Sequence, residues 1–282
     1  MRTFDYHRPA SLTEVSAALK ATPDARLLAG GMTLIPALKL RLATPQALVD
    51  LSAIADLRGI RVGGGVVTVG AMTRHAELER SAEVRAVIPA LTDLAGSIGD
   101  PQVRNRGTLG GSLAHADPAA DYPAVMLALD AEVHVKGSGG WRLVKAQDFF
   151  QGMFTVDLAA NEIIAGVQFK PVKSAAYAKL HQRASHFAIV GVAAALDVSK
   201  GVIQSARVGL TGASSHATRL TEVEQALTGK APSAENIEAA ARVAGQSVTD
   251  VNSDLHASEA YRRAMIPVFT KRALMAAMAR TG

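Results

Sequence analysis

Two glycine-containing segments hold the residues whose types and spacing best suit ligand binding. The first glycine segment consists of Leu28, Ala29, Gly30, Gly31, Met32, Thr33 and Leu34, and the second of Thr108, Leu109, Gly110, Gly111 and Ser112. Glycine lets a ligand approach the backbone because no Cβ stands in the way. Unpaired N–H groups in such turns, or at the start of a following helix, favour a phosphate. Together the two segments predict a site that holds the two phosphates of a dinucleotide from opposite sides.

Common nucleotide-binding motifs do not describe these segments. Taken alone, the first segment is also compatible with an ordinary strand-to-helix turn. Neither segment matches G-x-G-x-x-G, although Asp50 follows Gly30 at about the spacing of that motif's acidic residue. The sequence also lacks G-x-x-x-x-G-K followed by Ser or Thr. These observations disfavour a nicotinamide-type Rossmann site and a nucleoside triphosphate loop.

Three ionisable residues, His115, Asp117 and Asp121, follow the second segment. Their loose spacing disfavours a metal site, because no further cluster completes a ligand shell. A structural reading has Asp117 opening a turn before Pro118 and Asp121 capping a helix from Tyr122. A carboxylate at either position can instead accept hydrogen bonds from sugar or ribityl hydroxyls.

Composition excludes several classes of protein. The chain has 282 residues, 49% hydrophobic and 20% charged, with a net charge of +5, which argues against disorder and predicts about two domains. No apolar run is long enough for a membrane span, and the first six residues do not suggest a signal peptide. Cysteine is absent, which excludes disulfides and Cys-bound iron–sulfur clusters from this chain and favours the cytoplasm. Spread-out basic residues and only 4% aromatics disfavour nucleic-acid binding.

Patterning predicts an α+β protein in which both glycine segments lie in the first of two domains. Residues 1–55 alternate strands and helices, with a helix over 11–21 capped by Ser11, a strand at 26–29, a helix over 33–42 and a strand at 47–51. In residues 56–173 we expect a hairpin at 59–70, helices at 74–80 and 84–98, a loop at 99–112, a helix at 122–129, and strands at 132–136 and 162–169.

Residues 174–282 predict a second domain, an antiparallel sheet with helices on one face. Strands at 188–198 and 202–210 would meet at a tight turn. One helix would begin at a capping box that starts with Thr221. A second would be capped by Ser233 and run through about Val248, and a third would span 258–279 with a break at Pro267.

The two glycine segments resemble the paired flavin-diphosphate motifs in the FAD-binding (medium) subunits of molybdenum hydroxylases, the carbon monoxide dehydrogenase and xanthine dehydrogenase family. Residues 102–107, 116–121, 187–193 and 261–263 match the same family, so the resemblance covers essentially the whole chain in order. It implies a two-lobed FAD-binding domain of the PCMH type, with a small α/β lobe (1–55) and a larger mixed-sheet lobe (56–173), followed by a carboxy-terminal flavoprotein domain.

The resemblance also implies roles for individual residues. Both glycine segments would hold the diphosphate and adenosine side of FAD, and Asp121 would bind ribityl or nearby polar atoms. Ile164 would lie against the flavin ring and Phe187 beside the isoalloxazine, although both could be plain sheet or core residues. Lys179 and Arg183 are left outside the site, because long basic side chains are usually solvated. The carboxy-terminal Arg and Lys residues are expected on a solvated helix face.

The resemblance implies that the chain binds FAD non-covalently, with no catalytic acid or base of its own. A large subunit would carry the molybdenum cofactor, a small subunit would carry two 2Fe-2S clusters, and electrons would leave from FAD to an external acceptor. Ser112 replaces the family's usual Asn, and Ile189 stands where eukaryotic xanthine enzymes have a lysine, which puts NAD as acceptor in doubt. The alternatives are a self-sufficient two-loop FAD oxidoreductase and a scaffold subunit with an empty site.

Overall fold

The computed structural model describes residues 1–281, and its first lobe is a small parallel sheet carrying two helices. The lobe contains β1 (Asp5–His7), α1 (Leu12–Ala21), β2 (Arg26–Leu28), α2 (Leu34–Lys39) and β3 (Ala47–Asp50), and its strand order is β1-β3-β2. Both outer strands run parallel to β3. The expected N-cap of α1 is confirmed, because the Ser11 hydroxyl accepts from the Glu14 N–H. The second half of the capping box is shifted by one residue, since the Glu14 carboxylate accepts from the Ala10 N–H and not from that of Ser11.

The second lobe is built on a five-stranded antiparallel sheet. Its strands are β4 (Ile60–Gly63), β5 (Val66–Gly70), β6 (Glu132–Gly137), β7 (Gly140–Lys145) and β10 (Ile163–Phe169), in the order β4-β5-β10-β6-β7. The expected hairpin at 59–70 is confirmed, and both of its central residues, Gly64 and Gly65, have positive φ angles of 60° and 76°. A short ribbon, β8 (Phe150–Gly152) with β9 (Thr155–Val156), lies between β7 and β10 in sequence.

Seven helices of the second lobe pack around this sheet. They are α3 (His75–Arg80), α4 (Ala82–Val87), α5 (Pro89–Gly96), α6 (Pro101–Arg104), α7 (Leu109–His115), α8 (Tyr122–Ala128) and α9 (Ala146–Phe149). The single helix expected over 84–98 is wrong, because Pro89 pushes Ile88 out of the helical region and starts a new helix. The loop expected over 99–112 is also wrong. It contains α6 and the start of α7, so Gly110 and Gly111 lie in the first turn of a helix.

The carboxy-terminal residues form a four-stranded antiparallel sheet with three helices on one face. The elements are β11 (Ala175–His181), β12 (Ala188–Ser199), β13 (Val202–Thr211), β14 (Thr218–Arg219), α10 (Thr221–Leu227), α11 (Ala234–Ala241) and α12 (Glu259–Met278). Side chains of β12 alternate between two cores: Val190 and Val192 pack under the three helices, whereas Ala193 and Ala195 face the core of the second lobe. On that second face, a Cβ built on Gly209 would lie 2.2 Å from the Ala124 carbonyl oxygen of α8, so only glycine allows the close approach.

Three further expectations for this region need correction. Helix α12 continues through Pro267, because Ile266, Phe269 and Leu274 anchor both sides of the proline in the core. Thr221 is not a cap: Leu220 holds that position, and Glu224 instead accepts from the Val208 N–H and pairs with Arg219. Helix α11 ends at Ala241, well before Val248. None of the helices in residues 1–281 combines the length and the apolar composition needed to cross a bilayer.

Candidate functional site

The two glycine segments lie against each other where the first lobe meets the second. A Cβ built on Gly30 would lie 2.2 Å from the Arg106 carbonyl oxygen and 2.9 Å from the Gly107 Cα. A Cβ on Gly111 would lie 3.6 Å from the Ala29 Cβ. The chain therefore needs glycine at position 30 for backbone-to-backbone contact, and this contact fixes the distance between the segments.

The first glycine segment presents an array of free donors. Within residues 1–281, the N–H groups of the five successive residues 30–34 have no protein hydrogen-bond acceptor. Gly31 has a φ of +75°, which turns the chain from β2 into α2. Met32 and Thr33 are exposed, and the Thr33 side chain makes no capping hydrogen bond. Such an array of backbone donors suits an anion.

The second glycine segment is different, because its own chain uses most of its donors. The Leu109 N–H donates to the Thr73 carbonyl at 3.0 Å, and the Gly110 N–H donates to the Ala71 carbonyl at 2.8 Å. The Gly111 N–H donates to the Thr108 hydroxyl at 3.2 Å. A Cβ on Gly110 would lie 2.5 Å from the Ala71 Cβ, so this glycine serves packing. The expected concavity of free amides is thus confined to the first segment, and the second contributes a rigid wall.

Asp121 is buried in an ion pair at the start of α8. Its side chain and that of Lys179 are 5% and 6% exposed, and the Lys179 ammonium lies 3.0 Å from both carboxylate oxygens. The Tyr177 hydroxyl donates to the same carboxylate at 2.5 Å. Burial raises the pKa of Asp121, while the neighbouring ammonium and hydroxyl act in the opposite direction. Asp121 makes no side-chain cap to α8, so the capping reading does not hold.

Lys179 was expected to be solvated, and that expectation is wrong. Its ammonium also donates to the carbonyls of Ser97 and His186, at 2.9 and 2.8 Å, so all of its protons have protein acceptors. The position of Lys179 within an apolar strand is the one sequence feature that could have indicated burial. Its acidic partner, Asp121, is 58 positions away in sequence, so only the fold reveals the pair. The expected solvated Arg and Lys face is likewise wrong for Arg262, which is 3% exposed.

Asp117 occupies a turn, in line with the structural reading. Its carboxylate accepts from the Ala119 N–H at 2.9 Å, and its other oxygen lies 3.8 Å from His115 Nε2. Within the described residues, no three His, Asp or Glu side chains converge in a way that could hold a metal ion.

Phe187 lies on the wall of a cavity of about 400 Å³ between the second lobe and the carboxy-terminal sheet. It is 46% exposed, so it is not a core aromatic. Met153 and Phe154 line the same cavity and are each 53% exposed, and Ile189 and Asp117 complete part of the wall. Ile164 is only 5% exposed and belongs to the core of the second lobe, beside an irregularity in the pairing of β10 with β6.

These features fit a flavin dinucleotide. A diphosphate needs several donors held in place, which the N–H groups of residues 30–34 supply. An aromatic ring system needs flat apolar surface, which Phe187 and its neighbours leave exposed.

Comparison with known proteins gives the same result over the full length. The family model described as "FAD binding domain in molybdopterin dehydrogenase" matches residues 2–171, and that described as "CO dehydrogenase flavoprotein C-terminal domain" matches residues 175–277. The medium chain of carbon monoxide dehydrogenase from Hydrogenophaga pseudoflava is 39% identical over 98% of both chains. The medium subunit of nicotine 6-hydroxylase from Paenarthrobacter nicotinovorans is 34% identical over 98% of both chains.

A solved structure shows the same fold. One chain of the carbon monoxide dehydrogenase from Hydrogenophaga pseudoflava that lacks the Mo-pyranopterin moiety of the molybdenum cofactor superposes with a TM-score of 0.95 at 39% identity. The match covers 100% of this chain and 99% of that chain. The chain therefore belongs to the family of FAD-binding medium subunits of molybdopterin-dependent dehydrogenases, a family of oxidoreductases.

Proposed function

We propose that this chain is the electron-transfer subunit of a heterotrimeric molybdenum hydroxylase, working in the cytoplasm. It would accept electrons from 2Fe-2S clusters of a small partner subunit and pass them to an external acceptor, while a large subunit carries the molybdenum cofactor. The observation that carries the proposal is the run of free N–H groups at residues 30–34, closed against residues 106–107. Because the sequence contains no cysteine, Cys-bound clusters must lie in other subunits.

Within this proposal, the first glycine segment binds the FAD diphosphate, and the second forms the wall that orients it. Ser112 adds a hydroxyl, which makes no hydrogen bond within residues 1–281, at the edge of that wall. Asp121 presents a carboxylate whose charge Lys179 already balances, so it can accept from a sugar or ribityl hydroxyl without an unpaired charge. Phe187 covers one side of the ring system, and Ile164 supports it from the sheet.

FAD, when bound, supplies the exchange of electrons between one-electron clusters and an acceptor. The protein would position the cofactor and control access to the ring. The family models support a division near residue 173, and the exposed wall of Phe187 and Phe154 lies along that division. Ile189 contributes no charge to this wall, which agrees with an acceptor other than NAD.

The test uses a pair of variants that differ only in charge. Thr33 is exposed and precedes α2, and Asp and Asn both cap helices well, so Thr33→Asp and Thr33→Asn should fold alike. The Asp carboxylate would stand beside the donors that take the diphosphate. At about 5 Å and an effective dielectric of 20–80, repulsion costs about 1–3 kcal/mol per charge pair, or roughly a tenfold or greater rise in the Kd for FAD.

We expect the purified chain to hold one FAD, visible in its absorption spectrum and in acid extracts, and to oxidise no substrate alone. Equal Kd values for the two Thr33 variants would contradict the diphosphate assignment. A colourless protein that takes up no added FAD would favour the scaffold alternative, and substrate turnover by the isolated chain would favour a self-sufficient flavoenzyme.

A further inference from the structure

A buried histidine that has no role in the proposed chemistry lies directly behind the second glycine segment. His75, the first residue of α3, is 5% exposed. Its N–H donates to the Gly107 carbonyl at 3.1 Å. Its imidazole fills the space beside Gly107, since a Cβ built on that glycine would lie 2.6 Å from His75 Nε2.

Residues 71–75, which end at His75, hold the second glycine segment through backbone hydrogen bonds. The Thr73 and Ala71 carbonyls accept from the Leu109 and Gly110 N–H groups, so residues 71–75 form a short antiparallel bracket against residues 107–110. His75 is the end of this bracket, and its side chain packs against Gly107, as that of Ala71 does against Gly110. Gly107 also contacts the first glycine segment, since a Cβ built on Gly30 would lie 2.9 Å from the Gly107 Cα.

Tyr122 fixes the imidazole from behind. Its hydroxyl lies 3.1 Å from His75 Nδ1, and the two rings are 5.4 Å apart at 45°. Tyr122 is fully buried and directly follows Asp121, which is itself held in the buried ion pair with Lys179. Burial, with a smaller effect from the charge of Arg104, lowers the pKa of His75 to about 4, so the ring is neutral near pH 7.

We propose that His75 is a positioning residue of the FAD site: its imidazole, held by Tyr122, sets Gly107 against Gly30 and so fixes the spacing of the two glycine segments. This inference rests on the proposed FAD site. It assigns His75 no contact with the cofactor. Its effect on binding comes from pre-organisation, since a site already in its bound geometry loses less free energy on ordering.

The first test measures FAD binding to the full-length chain after removal of flavin. His75→Ala removes both the ring and the Tyr122 hydrogen bond, and we expect the Kd for FAD to rise about tenfold, the effect of one buried hydrogen bond. His75→Asn places an amide near the position of Nδ1 and should recover part of the affinity. Leu78→Ala, a core truncation on the same helix, is the matched control for lost stability, and its Kd should equal that of the wild type.

The second test reads the diphosphate directly and separates positioning from stability. The 31P chemical shifts of bound FAD should change in His75→Ala, move back in His75→Asn and stay unchanged in Leu78→Ala. Unchanged 31P shifts and Kd in His75→Ala would overturn the proposal, and so would a Kd change of equal size in Leu78→Ala. Wild-type protein that binds no FAD at all would instead remove the proposed function.

A variant of Gly107 tests the contact itself. The Cβ of Gly107→Ala would meet His75 Nε2 at 2.6 Å and the Val103 carbonyl oxygen at 3.2 Å, so this variant alone should also weaken FAD binding. Adding His75→Ala removes the closer of the two contacts. We therefore expect the double variant to bind FAD more tightly than the product of the two single effects predicts. Strict additivity would refute the coupling between His75 and Gly107.

Discussion

The buried pair of Lys179 and Asp121 gives the sharpest prediction about stability. In Lys179→Met the ammonium that lies 3.0 Å from both carboxylate oxygens is lost, and Asp121, 5% exposed, keeps only the Tyr177 hydroxyl as a side-chain donor. Breaking a buried pair on one side typically costs about 3–5 kcal/mol, because the remaining charge is uncompensated. Since a domain is stable by only about 5–15 kcal/mol, we expect a large fall in the urea midpoint at pH 7.

The sign of the pH dependence follows from the carboxylate. Burial already raises the pKa of Asp121 in the native protein, and loss of the lysine charge should raise it further. A folded-state pKa above the unfolded value means that the folded variant binds its proton more tightly. The stability deficit of Lys179→Met relative to the wild type should therefore be full above the raised pKa of the variant and shrink as the pH falls through it toward the folded-state pKa of the wild type.

Urea unfolding of the flavin-free chain, followed by circular dichroism between pH 5 and pH 8, measures this deficit. The double variant Asp121→Asn with Lys179→Met removes both charges and should be more stable than Lys179→Met alone. Lys173→Met, at an exposed position six residues earlier, controls for loss of a lysine and should change stability by under about 0.5 kcal/mol. A deficit below about 1 kcal/mol for Lys179→Met, or a larger one in the double variant, would refute the reasoning.

Three further predictions concern the packing around the site. Gly30→Ala forces a Cβ to 2.2 Å from a backbone oxygen, so its FAD content should fall sharply, while Gly63→Ala, with nothing within 4 Å, should keep full flavin by absorbance. His75 has a pKa of about 4 in the fold against 6.5 when unfolded, so the wild type should lose about 2 kcal/mol of stability relative to His75→Asn between pH 7 and pH 5, measured by urea unfolding. Arg262→Met leaves the Ile189 and Gly212 carbonyls without their donor and should lower stability by about 3–5 kcal/mol in the same assay, whereas Arg263→Met should have a small effect.

Sequence patterns predicted those helix starts and turns that depend on only a few neighbouring residues. Ser11 with Glu14 fixes the start of α1, and the pair Lys200 and Gly201, both at positive φ, fixes the turn between β12 and β13. The break expected at Pro267 failed because tertiary contacts outweigh the roughly 3 kcal/mol cost of a helical proline. Strands β7 and β11 went unpredicted, since each shows a mixed pattern of exposure along an edge of its sheet.

The site was predictable where glycine marks it and not where charges meet across the fold. Both glycine segments stand out in the sequence and lie against each other in the structure. The resemblance to a family singled out Phe187, which lines the cavity beside the carboxy-terminal sheet. Lys179 and Tyr177 meet Asp121 over 58 and 56 positions of sequence, a pairing that no local pattern reveals. The position of His75 behind Gly107 depends in the same way on how residues 71–75 return to the second glycine segment.

The two glycine segments look alike in sequence but use glycine for different physical reasons. In the first, Gly31 needs a positive φ, and the N–H groups around it stay free for a ligand. In the second, Gly110 and the preceding Gly107 make room for Ala71 and His75 of the same chain, and the N–H groups of residues 107, 109 and 110 are already paired. The first segment is therefore an array of free backbone donors, and the second is a wall supported by residues 71–75. Substitutions at the exposed positions Met32 and Thr33 should act on diphosphate affinity directly, whereas those at Gly107 and Gly110 should act through residues 71–75. Of these two groups, only the second should couple to changes at His75.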